Sequence, residues 1–172
     1  MGGQVKLTKI TTLVACAIAS ALLGYQVGVT LVRLGQPLPT SPTNLLVTLP
    51  VIAVVLVILA IPVMRYQSAM KKNRELSAGA KPVLVKRVDP FYAMRVAVLA
   101  KAVAIAGSVF TGWHVGVLVT VLASPQVSEG GVWRSSFGIA GSLAMTIAGL
   151  LIERACRVPP ESTPTDTEAS AA

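Results

Sequence analysis

The segment 89–122 most constrains what this chain can form. It is the longest apolar stretch of the sequence, and it carries two basic residues, Arg95 and Lys101, within its pattern. Residues three and four apart lie on one face of a helix. Small residues recur along this segment at four-residue spacing: Ala100, Ala104, Ser108, Gly112 and Gly116. Rows of this kind let helices approach closely in lipid, so the segment is predicted to be a packed membrane helix.

Composition supports a membrane protein. Of the 172 residues, 53% are hydrophobic and only 13% are charged, whereas about a quarter of the residues in soluble globular proteins are charged. At roughly 20 residues per membrane span, the length accommodates a few helices with short connections. We therefore predict an all-α membrane protein without a separate soluble domain.

Four apolar runs define the predicted organisation. The first run begins like a signal peptide, but its apolar character continues through Val32, which favours a retained helix. Asp89 followed by Pro90 is typical of a helix N-cap with proline in the first turn. The last residues are small, polar and acidic, so we expect them to be largely disordered. The predicted spans are 10–34, 45–64, 90–122 and 132–152, separated by outer loops 35–44 and 123–131 and a basic loop 65–89, with 1–9 before and 153–172 after them.

The distribution of basic residues predicts an orientation. With an even number of spans, both termini and the basic loop share one side of the membrane. Of the 15 Lys and Arg residues, only Arg33 and Arg134 belong to the other side, if Arg95 and Lys101 are assigned to their nearer end. The positive-inside rule then places both termini in the cytoplasm, and the expected location is the plasma membrane.

Arg95 and Lys101 are the strongest candidates for a functional site, because an ionisable residue inside a span is costly and often functional. Two interpretations stay open. Lys101 extends its ammonium group to the interface if the apolar core begins near Ala102. If the core begins further towards the N-terminus, Lys101 needs a partner, either an ion pair with Glu153 or a lipid phosphate.

Small residues predict where helices pack. Three spans carry rows at four-residue spacing, and the second span lacks one, so we expect the second span to face lipid more than the others. The rows comprise Ser20, Gly24 and Gly28 in the first span; Ala104, Ser108, Gly112 and Gly116 in the third; and Ala140, Ala144 and Ala148 in the fourth, which has a second row of Gly138, Ser142 and Thr146.

The sequence offers little for catalysis. It contains no paired carboxylates, phosphate-binding glycine loop or cluster of metal ligands, and no carboxylate is expected deep inside a span. His114 follows Trp113 and is interpreted as marking the outer interface. We therefore expect no enzymatic activity, metal or cofactor, and no nucleic-acid partner. Anionic lipid headgroups are the expected partner of the basic loop.

The third span also carries a resemblance to a known family. Asp89-Pro90, Arg95, the run from Leu99 to Ala102 and Gly112-Trp113 resemble the signature of a family of small integral membrane proteins from actinobacteria, catalogued as domain of unknown function 3180. The resemblance covers about residues 5–155. It implies a plasma-membrane protein with two pairs of helices, and it brings no assigned activity.

Two functions remain as expectations. The first is a non-enzymatic accessory or scaffold protein associated with the cell envelope, in which the small rows contact partner helices or a second copy. The alternative is a small transporter or lipid-handling protein with a basic phosphate-binding cleft at Arg95 and Lys101.

Overall fold

The computed structural model describes residues 8–37, 41–75, 88–124 and 129–156. These residues form four helices and no strand: α1 (Ile10–Arg33), α2 (Thr43–Glu75), α3 (Pro90–Ala123) and α4 (Glu129–Ala155). All four are long and apolar enough to cross a membrane. The predicted all-α membrane fold with four transmembrane helices is therefore confirmed. The start of the N-terminal segment, the middle of the basic loop, parts of both outer loops and the acidic tail lie outside the described residues.

Contacts between the helices fix their directions. Gly112 lies against Ala17 and Gly116 lies against Ala21, so α1 and α3 run parallel. Gly107 faces Thr146 of α4 and Gly149 faces Ala100, so α3 and α4 run antiparallel. α2 runs antiparallel to α3, because Tyr92 contacts Leu59 whereas His114 contacts Ser41. The starts of α1 and α3 and the ends of α2 and α4 thus lie together, at what we call the terminal end of the bundle.

The four helices do not all pack on one another. Within the described part of the chain, α1 packs on α3 alone, whereas α3 also contacts α4 and α2. The apolar core is built by α2, α3 and α4. The buried residues of α2 follow spacings of four and three, which place them on one helical face. The core comprises Leu49, Ala53, Leu56, Ala60 and Val63 from α2, Val96, Ala100 and Val103 from α3, and Met145 and Ile152 from α4, with Cys156 just beyond it.

The most exposed helix is α1 and not α2. In the most apolar stretch of α1, 17% of the residues are buried, compared with 28% in α2. The expectation that α2 faces lipid most was wrong. A small-residue row gives a narrow, close contact with one neighbour, whereas the larger side chains of α2 fill the space between two helices.

Two helix ends follow local rules. The Asp89 side chain accepts a hydrogen bond from the Phe91 backbone N–H at 2.9 Å, which confirms the predicted N-cap before Pro90. At the end of α1, Gln36 N–H donates to the Leu31 carbonyl and Gly35 N–H donates to the Val32 carbonyl. This is a Schellman motif, and it requires the left-handed backbone that Gly35 adopts at φ 67°.

α2 and α3 extend past their neighbours at the terminal end. α2 continues without a break from its apolar part through Arg65 to Glu75 and contains both Pro50 and Pro62. The register of α1 on α3 places Ile10 close to the level of Ala102. The first part of α3, residues 90–101, therefore projects about 18 Å beyond the start of α1, at about 1.5 Å per residue.

Candidate functional site

The two predicted cations lie at the terminal end of the bundle. Arg95 is exposed and Lys101 is half-buried. The register of α1 places the start of that helix at the level of Lys101, so the side chain lies where α1 begins and not at mid-bundle. Arg95 is about 9 Å further out along α3.

Glu153 also lies at the terminal end. The sequence suggested it as a partner for Lys101 but did not predict that its side chain is buried. Its side chain is only 5% exposed, although it occupies the last turn of α4. One carboxylate oxygen, Oε1, accepts a hydrogen bond from the Thr8 backbone N–H at 2.8 Å. The other oxygen, Oε2, is buried and has no hydrogen-bond partner among the described residues, and the same holds for the Thr8 hydroxyl. Glu153 lies at the end of α4 and not deep inside a span, and it is buried because the segment that enters α1 covers it.

Glu153 contacts the segment that enters α1. Lys9 is the N-cap of α1, and its side chain makes no capping hydrogen bond. The first backbone N–H groups of a helix lack partners within the helix and carry partial positive charge. The Glu153 carboxylate instead accepts from the N–H of Thr8, one residue before the N-cap, so it anchors the segment that enters α1 and places a carboxylate near the positive end of the helix dipole.

Lys101 and Glu153 occupy neighbouring levels. Gly149 of α4 lies against Ala100 and Ala104 of α3, and Glu153 is one helical turn beyond Gly149. This register puts the buried carboxylate within about one turn of Lys101 along the bundle axis. The arrangement provides a cation and a carboxylate at one end, with the α1 N-terminus beside them.

The exposed charges of the terminal end are mostly positive. Among the side chains described there, Asp89 is the exposed acid. The exposed cations form what we call the basic terminal face: Lys9, Arg65, Lys71, Lys72, Arg95 and Arg154. A surface of this sign attracts anionic groups, most strongly at low salt.

Cys156 closes the terminal end of the core. It is buried in the core formed by α2, α3 and α4, and it forms no disulfide. Burial raises the pKa of the Cys156 thiol above its ordinary value, because an apolar environment disfavours the thiolate. The thiol is therefore a packing group and a poor nucleophile.

The opposite end holds a second polar arrangement, around His114. This side chain is fully buried. Its Nδ1 lies 2.7 Å from the Phe110 carbonyl oxygen, and its Nε2 lies 3.0 Å from the Ser41 hydroxyl. Because a carbonyl oxygen only accepts, Nδ1 carries the proton in the neutral imidazole and Nε2 accepts from Ser41. Arg134 donates to the Ser41 backbone carbonyl at 3.3 Å, so His114 and Arg134 hold the end of the α1–α2 connection.

Gly138 makes room for His114. A Cβ at Gly138 would collide with the imidazole ring of His114. The sequence interpretation of His114 as an interface marker missed this role, and the only signal in the sequence was a glycine in a row on α4. The ring and the glycine together allow α3 and α4 to approach closely around a buried polar side chain.

The small-residue rows occupy different positions. Ser20, Gly24 and Gly28 are buried in the α1–α3 contact, and Gly112 and Gly116 lie on the other side of it. Ala104 and Ser108 are also buried on α3. On α4, the buried row is the one containing Gly138, Ser142 and Gly149. Ala140 and Ala144 are exposed on another face of α4, and Ala148 is partly buried against the core.

The polar side chains of the α3–α4 contact hydrogen-bond within the bundle. Thr111 donates to Ser142 at 3.0 Å, and Ser142 donates to the Gly138 carbonyl at 2.7 Å. Within the described residues, no three His, Cys, Asp or Glu side chains are grouped closely enough to hold a metal ion. These hydroxyls stabilise helix contacts in lipid.

Four long apolar helices, with polar groups bonded inside the bundle and cations gathered at one end, define a small multi-pass helical membrane protein. The chain belongs to the family described as protein of unknown function (DUF3180), whose model matches residues 4–160. The resemblance carried by Asp89-Pro90, Lys101 and Gly112-Trp113 is thereby confirmed. No curated protein and no solved structure matches the chain.

Proposed function

We propose that the protein is a non-enzymatic accessory or scaffold component of the plasma membrane, associated with the cell envelope. Its basic terminal face lies in the cytoplasm and binds anionic lipid headgroups or an acidic partner. Its exposed helix faces contact a partner membrane helix or a second copy of the chain.

The extension of α2 and α3 at the terminal end is the observation that supports this proposal most. α2 is apolar up to Met64 and then carries exposed Arg65, Lys71 and Lys72 on the same continuous helix. α3 adds exposed Arg95 within its projecting first part. A rigid helical extension holds these cations at fixed positions, and each basic residue near an anionic membrane surface contributes about 1 kcal/mol.

The charge count supports the cytoplasmic orientation. In the four-span arrangement, Arg33 and Arg134 are the two of the 15 Lys and Arg residues that fall on the side of the outer loops, and the other 13 belong to the sequence segments assigned to the opposite side. Short loops rich in Lys and Arg remain on the cytoplasmic side during insertion.

An exposed face of α4 supports the scaffold interpretation. Ser136, Ala140 and Ala144 recur at four-residue spacing and are exposed. Buried rows of the same kind already join α1 to α3 and α3 to α4. A further helix that approached this face would find the small side chains that close packing in lipid uses.

Co-purification in mild detergent tests the proposal. The tagged protein is isolated, and the proteins and lipids that remain bound are identified by mass spectrometry. A stoichiometric protein partner that is lost in Ala140→Leu/Ala144→Leu, and retained in the matched variant Leu143→Ile/Ile147→Leu, supports the scaffold function. Recovery of the chain alone, with neutral and anionic lipid in bulk proportions, contradicts it.

A lipid-handling function is the second candidate, favoured by the proximity of Lys101 to the buried Glu153. An ammonium group at the start of α1 suits a phosphate headgroup that enters between the helices. The test compares lipid bound to Lys101→Gln, Lys101→Arg and Arg33→Gln, an exposed control at the opposite end of the bundle. Selective loss in Lys101→Gln with partial recovery in Lys101→Arg supports a phosphate site, and equal binding in all three contradicts it.

A further inference from the structure

We infer that the acidic C-terminal segment of this chain, residues 157–172, docks on the basic terminal face and competes there with anionic headgroups. The inference rests on the proposed function, because it regulates the same surface. The occupant is this chain's own segment 157–172, and the surface is the exposed basic terminal face.

The position of the α4 end is the first argument. α4 ends at Ala155, and Cys156 packs in the core with Val96. Gly149 lies against Ala100 and Ala104 in the antiparallel α3–α4 contact, so Cys156, seven residues further on, lies near the level of Arg95 along the bundle axis. Everything after Cys156 starts at the basic terminal face.

Charge complementarity is the second argument. The segment that follows Cys156 contains Glu161, Asp166 and Glu168 and one basic residue, Arg157. The face beside it presents the six exposed cations defined above, with Asp89 as the exposed acid described there. The segment thus carries three of the seven acidic residues of the chain, and it follows directly on the end of α4 at the basic terminal face.

Reach and local concentration are the third argument. The segment has 16 residues, from 157 to 172, and at up to about 3.5 Å per residue it reaches Arg95 and Lys72. A tethered ligand on a short linker has an effective concentration in the millimolar range. Ion pairs that are weak between separate molecules are therefore populated within one chain.

A competition experiment tests the inference. The full-length protein is placed in nanodiscs of neutral phosphatidylcholine and floated with vesicles of phosphatidylcholine and phosphatidylglycerol. The variant Glu161→Gln/Asp166→Asn/Glu168→Gln removes three negative charges, and Thr163→Ala/Thr165→Ala/Thr167→Ala is the matched control on the same segment. We expect the charge variant to bind the vesicles about tenfold more tightly than wild type, because three exposed ion pairs are lost. The threonine variant should bind like wild type, and raised salt should remove the difference.

The outcomes separate the two proposals. Equal vesicle binding by wild type and both variants overturns the docked segment and leaves the headgroup function standing. Absence of binding in all three, the charge variant included, overturns the headgroup function and with it this inference.

Carbodiimide cross-linking gives an independent readout in the wild-type chain. It joins a carboxylate directly to an amine, so docking predicts links from Glu161, Asp166 or Glu168 to a lysine of the basic terminal face, which are Lys9, Lys71 and Lys72. Mixing isotope-labelled and unlabelled chains distinguishes links within one chain from links between copies. Links formed only between copies, or only to distant lysines, overturn the inference.

Discussion

Glu153 accepts a hydrogen bond from the Thr8 backbone N–H at 2.8 Å, although the two residues are 145 positions apart in the sequence. This bond joins the start of the first helix to the end of the last. Among the described helices, α1 packs on α3 alone. The hydrogen bond between Thr8 and Glu153 therefore also links the N-terminal side of α1 directly to α4.

Removing the Glu153 side chain should loosen the start of α1. Glu153→Ala leaves the partly buried Thr8 N–H without this partner, at a cost of up to about 1–3 kcal/mol, so trypsin should cleave after Lys9 faster than in wild type. Glu153→Gln keeps an acceptor oxygen and should resemble wild type. Arg154→Ala, at the exposed neighbouring position, is the control, and equal cleavage of all four proteins would show that the bond does not hold α1.

Adding a methyl group at Gly116 should separate α1 from α3. A Cβ there would collide with the Ala21 carbonyl oxygen and approach the Tyr25 backbone N–H. Overpacking of this kind costs roughly 1–3 kcal/mol, so Gly116→Ala should lower the midpoint of thermal unfolding in mild detergent. At Gly141 the nearest atoms lie at 3.3 Å and belong to the side chains of Leu49 and Pro50, so Gly141→Ala should change the midpoint less. A reversed order would contradict the register of α1 on α3.

Ser41 and His114 should be energetically coupled. Their hydrogen bond holds the end of the α1–α2 connection against α3. In a double-mutant cycle with Ser41→Ala and His114→Asn, we expect a coupling free energy of unfolding of about 0.5–1.5 kcal/mol. A cycle with exposed Ser136→Ala in place of Ser41→Ala should give none. Additive effects in the Ser41 cycle would mean that the bond does not stabilise the fold.

Cys156 should react slowly with maleimide in the folded protein. Burial raises the pKa of its thiol, so the protonated form persists to a higher pH than in an unfolded chain, and only the thiolate is a good nucleophile. With Cys16→Ser as background, the labelling rate should increase at a more alkaline pH than in the SDS-denatured protein. Identical pH profiles for the folded and denatured chains would contradict a buried thiol.

The predicted orientation can be tested by reporter fusions. A phosphatase that is active only outside the cytoplasm should be active when fused at Thr40 or Val127 and inactive when fused at Ser77. These positions fall in the two outer loops and in the basic loop, respectively. The opposite pattern would place both termini outside and would remove the cytoplasmic role proposed for the basic terminal face.

Much of the fold could be predicted from local sequence. Apolar runs of spanning length predicted four helices, and Asp89 with Pro90 predicted how α3 begins, because both signals act within a few residues. The extension of α2 past Arg65 was less evident. The residues that follow are charged but form helices readily, so polarity marked the end of the apolar span and not the end of the helix.

The candidate site was harder to predict, because it depends on which faces meet. Spacing shows that Ala140 and Ala144 share one face of α4 and that Gly138 and Ser142 share another. It does not show which of the two faces packs against another helix. The burial of Glu153 is not visible in sequence either. A carboxylate at a helix end is usually solvated, and here the start of another helix covers it.

The separation of α1 from α2 by α3 has a consequence for biogenesis. The first two helices leave the ribosome before α3 exists, so any early hairpin that they form in the bilayer must open when α3 arrives. Ser41, just before α2, is then held by His114 of α3 and by Arg134 of α4. Because Arg134 belongs to the last helix, both contacts of Ser41 are complete only after the first part of α4 has been synthesised.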